Sequence, residues 1–312
     1  RKEFGGTGIE FSTLVSGLVI LLITLSLVWI LVLTIQGRLI ERRVVFLYVG
    51  IAVALPLFMT LSQRISASPE VRAIVDAVNE LPEGSKVLVA FDYDPPSAPE
   101  LQPMAEAFLY YCFHRDFKVI VMGLWPPGPQ QASLAFEEVL KDERIRPKNL
   151  KYGHDYVNLG FQAGNEFVIQ RMGSDIGSMF PRDYRGNAYQ DLPLVRNVKN
   201  FSHIDYVFNL SAGFPGTREW VQVAVDRYGA RLGGGNTAVQ APQMYPFLDA
   251  GQLTGLAGGM SGAAELEYLT EWKGKGTRFM LSQSFAHMVV IAFIIIGNVA
   301  FFRSGRKSKL QR

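Results

Sequence analysis

Cysteine, histidine and, over three long stretches, charge of either sign are scarce in this 312-residue chain. The single cysteine, Cys112, excludes an internal disulfide. It lies in "AEAFLYYCFHRDF", where a packed helix face is expected rather than a reactive thiol. The four histidines are scattered, with no His-x-x-x-His and no Cys/His pair, so no metal site is expected. The G-x-G-x-x-G fingerprint, the P-loop lysine motif and the G-x-S-x-G nucleophile elbow are all missing, and no cofactor is expected. No basic face with interleaved aromatics is visible, which argues against nucleic acid as a partner.

The missing charge is the most informative absence. No Asp, Glu, Lys or Arg occurs from Phe11 to Gly37, from Val44 to Gln63, or from Phe279 to Phe302. Crossing a bilayer takes about 20 apolar residues, so three transmembrane helices are predicted, at about 11–37, 44–63 and 279–302. A core helix of a soluble protein would show a polar stripe. Pro56 frees one carbonyl in the second stretch, which neighbouring helices can satisfy. The first stretch runs past the roughly 7–15 residues of a signal-peptide apolar region and is read as a span. The predicted organisation is residues 1–63 with two spans, 64–278 as one folded domain, and 279–312 with the last span and a basic tail.

Charge divides unevenly over this plan. The middle region holds 21 Lys and Arg against 25 Asp and Glu, and the remainder 10 against 3. The short loop "GRLIERR" and the tail "RSGRKSKLQR" are both basic and fall on the same side by parity. Short basic segments stay cytoplasmic, which puts residues 64–278 outside the cell membrane and the C-terminal tail in the cytoplasm. The basic flanks "KGKGTR" and Arg1–Lys2 pull the other way, but long translocated domains obey the rule weakly.

Within the middle region, apolar strand-like runs alternate with amphipathic helices. "SPEVRAIVDAVNELPEG" reads as a helix capped by Ser68, "KVLVAFDY" and "KVIVMGLW" as strands, and "APELQPMAEAFLYYCFHRD" and "QQASLAFEEVLKDERI" as helices. "DYVNLGF" is a possible strand and "NEFVIQRMGSDIGSMF" a possible helix. "IDYVFNLSA" and "ARLGGG" are strands around the helix "GTREWVQVAVDRYG", and "MYPFLDAGQLTGL" and "GGMSGAAELEYLTEW" are read as closing helices. Such alternation predicts an α/β fold: a three-layer, Rossmann-like or flavodoxin-like, mainly parallel sheet of four or five strands. Periodicity does not give strand order.

The segments "FDYDPPSAPELQPMAEA", "DYVNLGFQAGNEFVIQRMGSDI", "GGMSGAAELEYL" and "SQSFAHMVVIAFIIIGNVAFF" together resemble a functionally uncharacterised family of prokaryotic membrane proteins. That resemblance implies two N-terminal spans, a Rossmann-like domain and one C-terminal span. It implies no activity and no catalytic residue.

Ligands of open parallel sheets sit beyond the carboxyl ends of the strands. Four segments are therefore expected to gather there: "FDYDPPS", "GLWPPGP", "NLSAGFPGT" and "GGGNTAVQAP". Asp92 and Asp94 form an Asp-x-Asp that could hold a hard cation or divide acid and nucleophile roles, or simply begin a turn. Asn209, Ser211 and Thr217 follow, with helix capping the favoured role for Thr217. Asn236, Thr237 and Gln240 are candidate donors to a small polar ligand, with the preceding glycines as cradle or as packing positions. In the last span, His287 and Asn298 share one helix face, and Gly50 and Ala54 give the second a small-xxx-small surface. All four are expected to contact other spans or another subunit.

These features favour a membrane-anchored subunit of a larger membrane complex. Its extracytoplasmic α/β domain would bind protein or ligand without evident catalysis, and its partners would be lipid and other membrane subunits. One rival is a membrane-bound hydrolase or transferase using Asp92, Asp94, Ser211 and Asn236. The other is a receptor for a small polar solute.

Overall fold

The computed structural model describes residues 22, 25–34, 36, 41–58 and 65–310. The chain divides into two units, residues 65–277 and the flanking residues 1–64 with 278–312.

The larger unit is built on six parallel strands: β1 (Lys86–Asp92), β2 (Lys118–Gly123), β3 (Tyr156–Phe161), β4 (Tyr206–Ser211), β5 (Leu232–Asn236) and β6 (Gly255–Gly258). Their order across the sheet is β3-β2-β1-β4-β5-β6, which is that of the doubly wound Rossmann-type sheet. Every neighbouring pair is parallel. The sixth strand departs from the expected four or five. "LTGLAG" has too little apolar length to read as a strand, and only its position beside β5 makes it one.

Alternation along the strands sends side chains into two cores. Val87, Val89, Phe91, Tyr206 and Phe208 face one, covered by α3 (Pro69–Asn79), α4 (Ala98–His114), α5 (Gly128–Leu140) and α11 (Gly259–Thr270). Leu88, Ala90, Val207 and Leu232 face the other, where Trp220 and Val221 pack. Those two residues belong to a continuous helical run, Thr217–Tyr228. It opens as α8 (Thr217–Trp220), passes through a π-helical stretch at Val221–Val225 and closes as α9 (Asp226–Tyr228). "NEFVIQRMGSDIGSMF" forms two short helices instead of one, α6 (Glu166–Met172) and α7 (Ile176–Met179). Asp175 caps the second by accepting the Ser178 N–H. Cys112 is fully buried in α4, and burial raises its thiol pKa far above the ordinary value.

Two local expectations need correction. Ser68 precedes α3 but makes no capping bond; its N–H and hydroxyl both go to Glu265 Oε2, at 2.9 and 2.6 Å. Pro69 leaves that helix one fewer N–H to satisfy, which frees the serine for α11. The segment "MYPFLDAGQLTGL" is helical only at α10 (Tyr245–Asp249), before Gly251 turns the chain at φ 73° into β6.

Of the three predicted spans, one meets the length and composition of a bilayer crossing among the described residues: Gly276–Val299, mean hydropathy 2.1. It is the apolar part of α12 (Gly276–Leu310). Among the described residues, the apolar helices α1 (Leu25–Thr34) and α2 (Arg42–Phe58) cover fewer than the ~20 residues a crossing needs. Much of the first predicted span, and residues 59–63 of the second, lie outside the described residues. Within the smaller unit, Tyr48 of α2 meets Phe293 of α12 edge-on at 5.8 Å, and Ala52, Val289 and Ile296 are buried. His287, Asn298, Gly50 and Ala54 are exposed, so the expected contact with neighbouring spans is not made by them within the described residues. Asn298 instead donates to the Ile294 carbonyl of its own helix.

The first turn of α12 is held by Glu267 of α11, buried to 3 % exposure. Its carboxylate accepts the N–H groups of Gly276 and Thr277 and the Thr277 hydroxyl, at 2.7, 2.9 and 2.9 Å. Glu267→Ala would strand one buried and one part-buried N–H donor at a helix start. It is expected to cost about 2 kcal/mol, read as a lower unfolding midpoint of the full chain in detergent.

Candidate functional site

At the carboxyl end of the sheet the register sets Asp92, Ser211 and Asn236 in one row across β1, β4 and β5. All three side chains are fully buried, as are those of Asn209 and Thr217. They are linked. Asp92 Oδ2 accepts Asn209 Nδ2 and Trp220 Nε1, at 2.7 and 2.8 Å, while Oδ1 accepts the Leu124 N–H at 2.7 Å. Asn209 Oδ1 accepts the Thr217 hydroxyl at 2.7 Å. That hydroxyl accepts Asn236 Nδ2 at 2.8 Å, and Asn236 also donates to Gln240 Oε1 at 3.0 Å. Gln240 Nε2 closes the chain on the Gly213 carbonyl at 2.9 Å. Five candidate residues thus form one hydrogen-bonded line joining β1, β4 and β5 to the loops that follow β2 and β4. Asn236 Oδ1, within the line, is a buried acceptor with no donor among the described residues.

Burial pushes the Asp92 carboxyl up to about 7, with Glu219 adding repulsion and the Leu124, Trp220 and Asn209 donors opposing. A group sealed at 0 % exposure, with donors on both oxygens, ties loops together and does not meet a substrate. Asp94 lies apart. Its Oδ1 accepts the Ser97 N–H and hydroxyl, capping the 3-10 turn Pro95–Ser97. β1 ends at Asp92, so Asp94 sits beyond the strand and the two carboxylates of the Asp-x-Asp take separate partners. No group of three or more His, Cys, Asp or Glu side chains able to hold a metal occurs among the described residues.

Thr217 is not the cap it is expected to be. Gly216 occupies that position, and its N–H goes to Glu219 Oε2 at 2.8 Å. Ser211 is confined to the turn that follows it, bonding Gly213 through both N–H and carbonyl. Thr237 places its N–H on the Ser211 carbonyl and turns the chain toward Gln240. The glycines Gly233–Gly235 lie inside β5, not after it. A Cβ at Gly235 would stand 2.8 Å from Leu210 and 3.1 Å from Phe208, and one at Gly233 would collide with Tyr206. They let large side chains press onto the strand and do not cradle an anion.

The four expected loops do gather. Besides the Asp92–Leu124 and Gln240–Gly213 links, Trp125 Nε1 donates to the Pro215 carbonyl at 2.8 Å, and Glu100 accepts the Ala238 N–H at 2.7 Å. Over β4 and β5 they leave a cleft of about 580 Å³ lined by Phe214, Arg218, Glu219, Gln240, Gln243 and Phe247, among others. Arg218 and Glu219 escaped the sequence reading. A helix-start "TRE" looks like ordinary capping, and only the fold shows that both line a cavity. A smaller cleft of about 350 Å³ lies across Phe214, against Trp125, Phe161 and Pro215. The first βα turn carries Asp92, Asp94, Pro95 and Pro96 where a dinucleotide site needs glycines and a free helix start.

Comparison of the chain with protein-family models, curated proteins and solved structures finds no match.

Proposed function

We propose that the chain is a membrane-anchored binding subunit of a larger membrane complex, whose α/β domain takes a small polar ligand beyond the carboxyl ends of β4 and β5. The observation that carries the reading is the 580 Å³ cleft, whose size suits a small molecule and whose lining includes Arg218, Glu219 and Gln243. The polar side chains beneath it hold one another, giving the cleft a fixed floor. The hydrolase or transferase reading gains nothing from this geometry, because Asp92 is sealed and Ser211 is engaged in its own turn.

The anchor is α12, with its 24-residue apolar stretch. The basic tail "RSGRKSKLQR" supports a cytoplasmic C-terminus and, with it, an α/β domain on the outer face of the membrane. The exposed His287 and Asn298 suit contact with a partner helix, where a polar group in lipid finds its hydrogen bond.

The test is a thermal-shift screen of the full chain in nanodiscs against small polar metabolites. A ligand that binds only the folded state at 100 times its Kd adds about 2.7 kcal/mol. At least one saturable shift, lost when Gln243 and Arg218 are replaced together by alanine, is expected. A flat response across the screen would remove the proposal.

A further inference from the structure

Within the cleft, two opposite charges stand side by side on the first turn of the Thr217–Tyr228 helix. Arg218 is exposed and forms no ion pair among the described residues. Glu219 is 7 % exposed, with Oε2 held by the Gly216 N–H. Its second oxygen takes no hydrogen bond among the described residues, though the side chain lines the cleft. A buried carboxylate with an open oxygen calls for a donor, preferably a cationic one. Neighbours one residue apart on a helix point about 100° away from each other, so the two charges do not satisfy one another. The lining also carries apolar side chains, Val239, Met244, Pro246 and Phe247.

We infer that the cleft binds a small zwitterion with an apolar side chain, of the kind an aliphatic or aromatic α-amino acid provides. Its carboxylate pairs with Arg218, its ammonium reaches the open oxygen of Glu219, and its side chain lies on Met244 and Phe247. This inference rests on the binding role proposed above and names the ligand class. An ammonium and an anion also occur together in phosphoethanolamine, so a lipid headgroup shares the chemistry.

Isothermal titration of the full chain in phosphatidylcholine nanodiscs tests it. The probes are leucine, phenylalanine, N-acetyl-leucine, leucinamide and phosphoethanolamine. Leucine or phenylalanine is expected to bind, with N-acetyl-leucine and leucinamide each weaker by about tenfold or more. Arg218→Gln is expected to weaken leucine about tenfold while leaving leucinamide unchanged. Glu219→Gln, which keeps an acceptor for the Gly216 N–H, is expected to remove the preference for leucine over N-acetyl-leucine. Equal binding of leucine and its two blocked forms would overturn the inference. So would binding of phosphoethanolamine alone, which would assign the site to a headgroup. If no amino acid binds while the metabolite screen yields another ligand of this cleft, the zwitterion fails and the binding role stands; a flat screen removes both.

Discussion

Asp92→Ala is expected to lower the thermal midpoint of the α/β domain by on the order of 10 °C. The alanine removes the acceptor for Leu124 N–H, Asn209 Nδ2 and Trp220 Nε1 together, and none of the three reaches water. Stranding one buried donor costs about 1–3 kcal/mol, and three together bring the total to roughly 3–5 kcal/mol. Trp220 fluorescence reports the site directly, because its indole N–H loses its partner. A midpoint within 2–3 °C of the wild type, roughly 1 kcal/mol by the same scaling, would mean that water replaces the carboxylate and that the strand-end line is not a structural tie.

The same residue sets a pH dependence whose sign is fixed. Burial raises Asp92 from 3.8 to about 7, so between those values the folded state holds a proton that the unfolded state has released. Stability from this group is complete below the unfolded pKa and declines as pH rises toward the folded one. Glu106 in α4 adds the same sign. Burial lifts it from 4.5 to about 7, with Lys275 opposing and Glu138 and Glu267 reinforcing. Unfolding free energy is therefore expected to fall from pH 4 to pH 7 in these two terms, and Glu106→Gln should flatten the slope. A steeper slope in that variant would contradict the assignment.

Gly128→Ala is expected to destabilise by about 3 kcal/mol, through a clash and not a lost bond. Gly128 opens α5, where a Cβ would run into the Phe91 carbonyl oxygen of β1. That oxygen belongs to a central strand paired on both sides, so it has no room to move. Gly123 faces the same atom from β2, where a Cβ would stand 2.8 Å away. Gln130→Ala, two residues on and exposed, should stay within about 0.5 kcal/mol and serves as the control in denaturant titration.

Much of the fold is legible in the sequence because buried parallel strands announce themselves. "KVLVAFD", "KVIVMG" and "YVFNLS" are apolar on both faces, and each is a strand within a residue or two of its expected place. What failed was set by neighbours. "GLAG" becomes β6 only because β5 offers it a ladder. For the predicted spans, uncharged length says only that a segment can cross a bilayer, and one of the three, Gly276–Val299, meets that length as a helix among the described residues. At the strand ends the residue types were visible and their use was not. Asp92, Asn209, Thr217, Asn236 and Gln240 read as candidates to meet a ligand, yet they hydrogen-bond to one another. The charges that do face the cleft, Arg218 and Glu219, carry no pattern distinguishing them from any helix start.

The bare strand β5 bears on how the domain assembles. From Gly233 to Gly235 it offers no side chain with which to recruit a neighbour. Its place is kept by Tyr206, Phe208, Leu210 and Met104, which must already be in position. A segment of that kind nucleates nothing and pays full glycine entropy on being ordered. β5 and the edge strand beyond it are therefore late arrivals, zipped onto a four-stranded β3-β2-β1-β4 part that forms first. In refolding kinetics, Leu232→Ala should speed unfolding and leave the folding rate almost untouched, whereas Val89→Ala should slow folding.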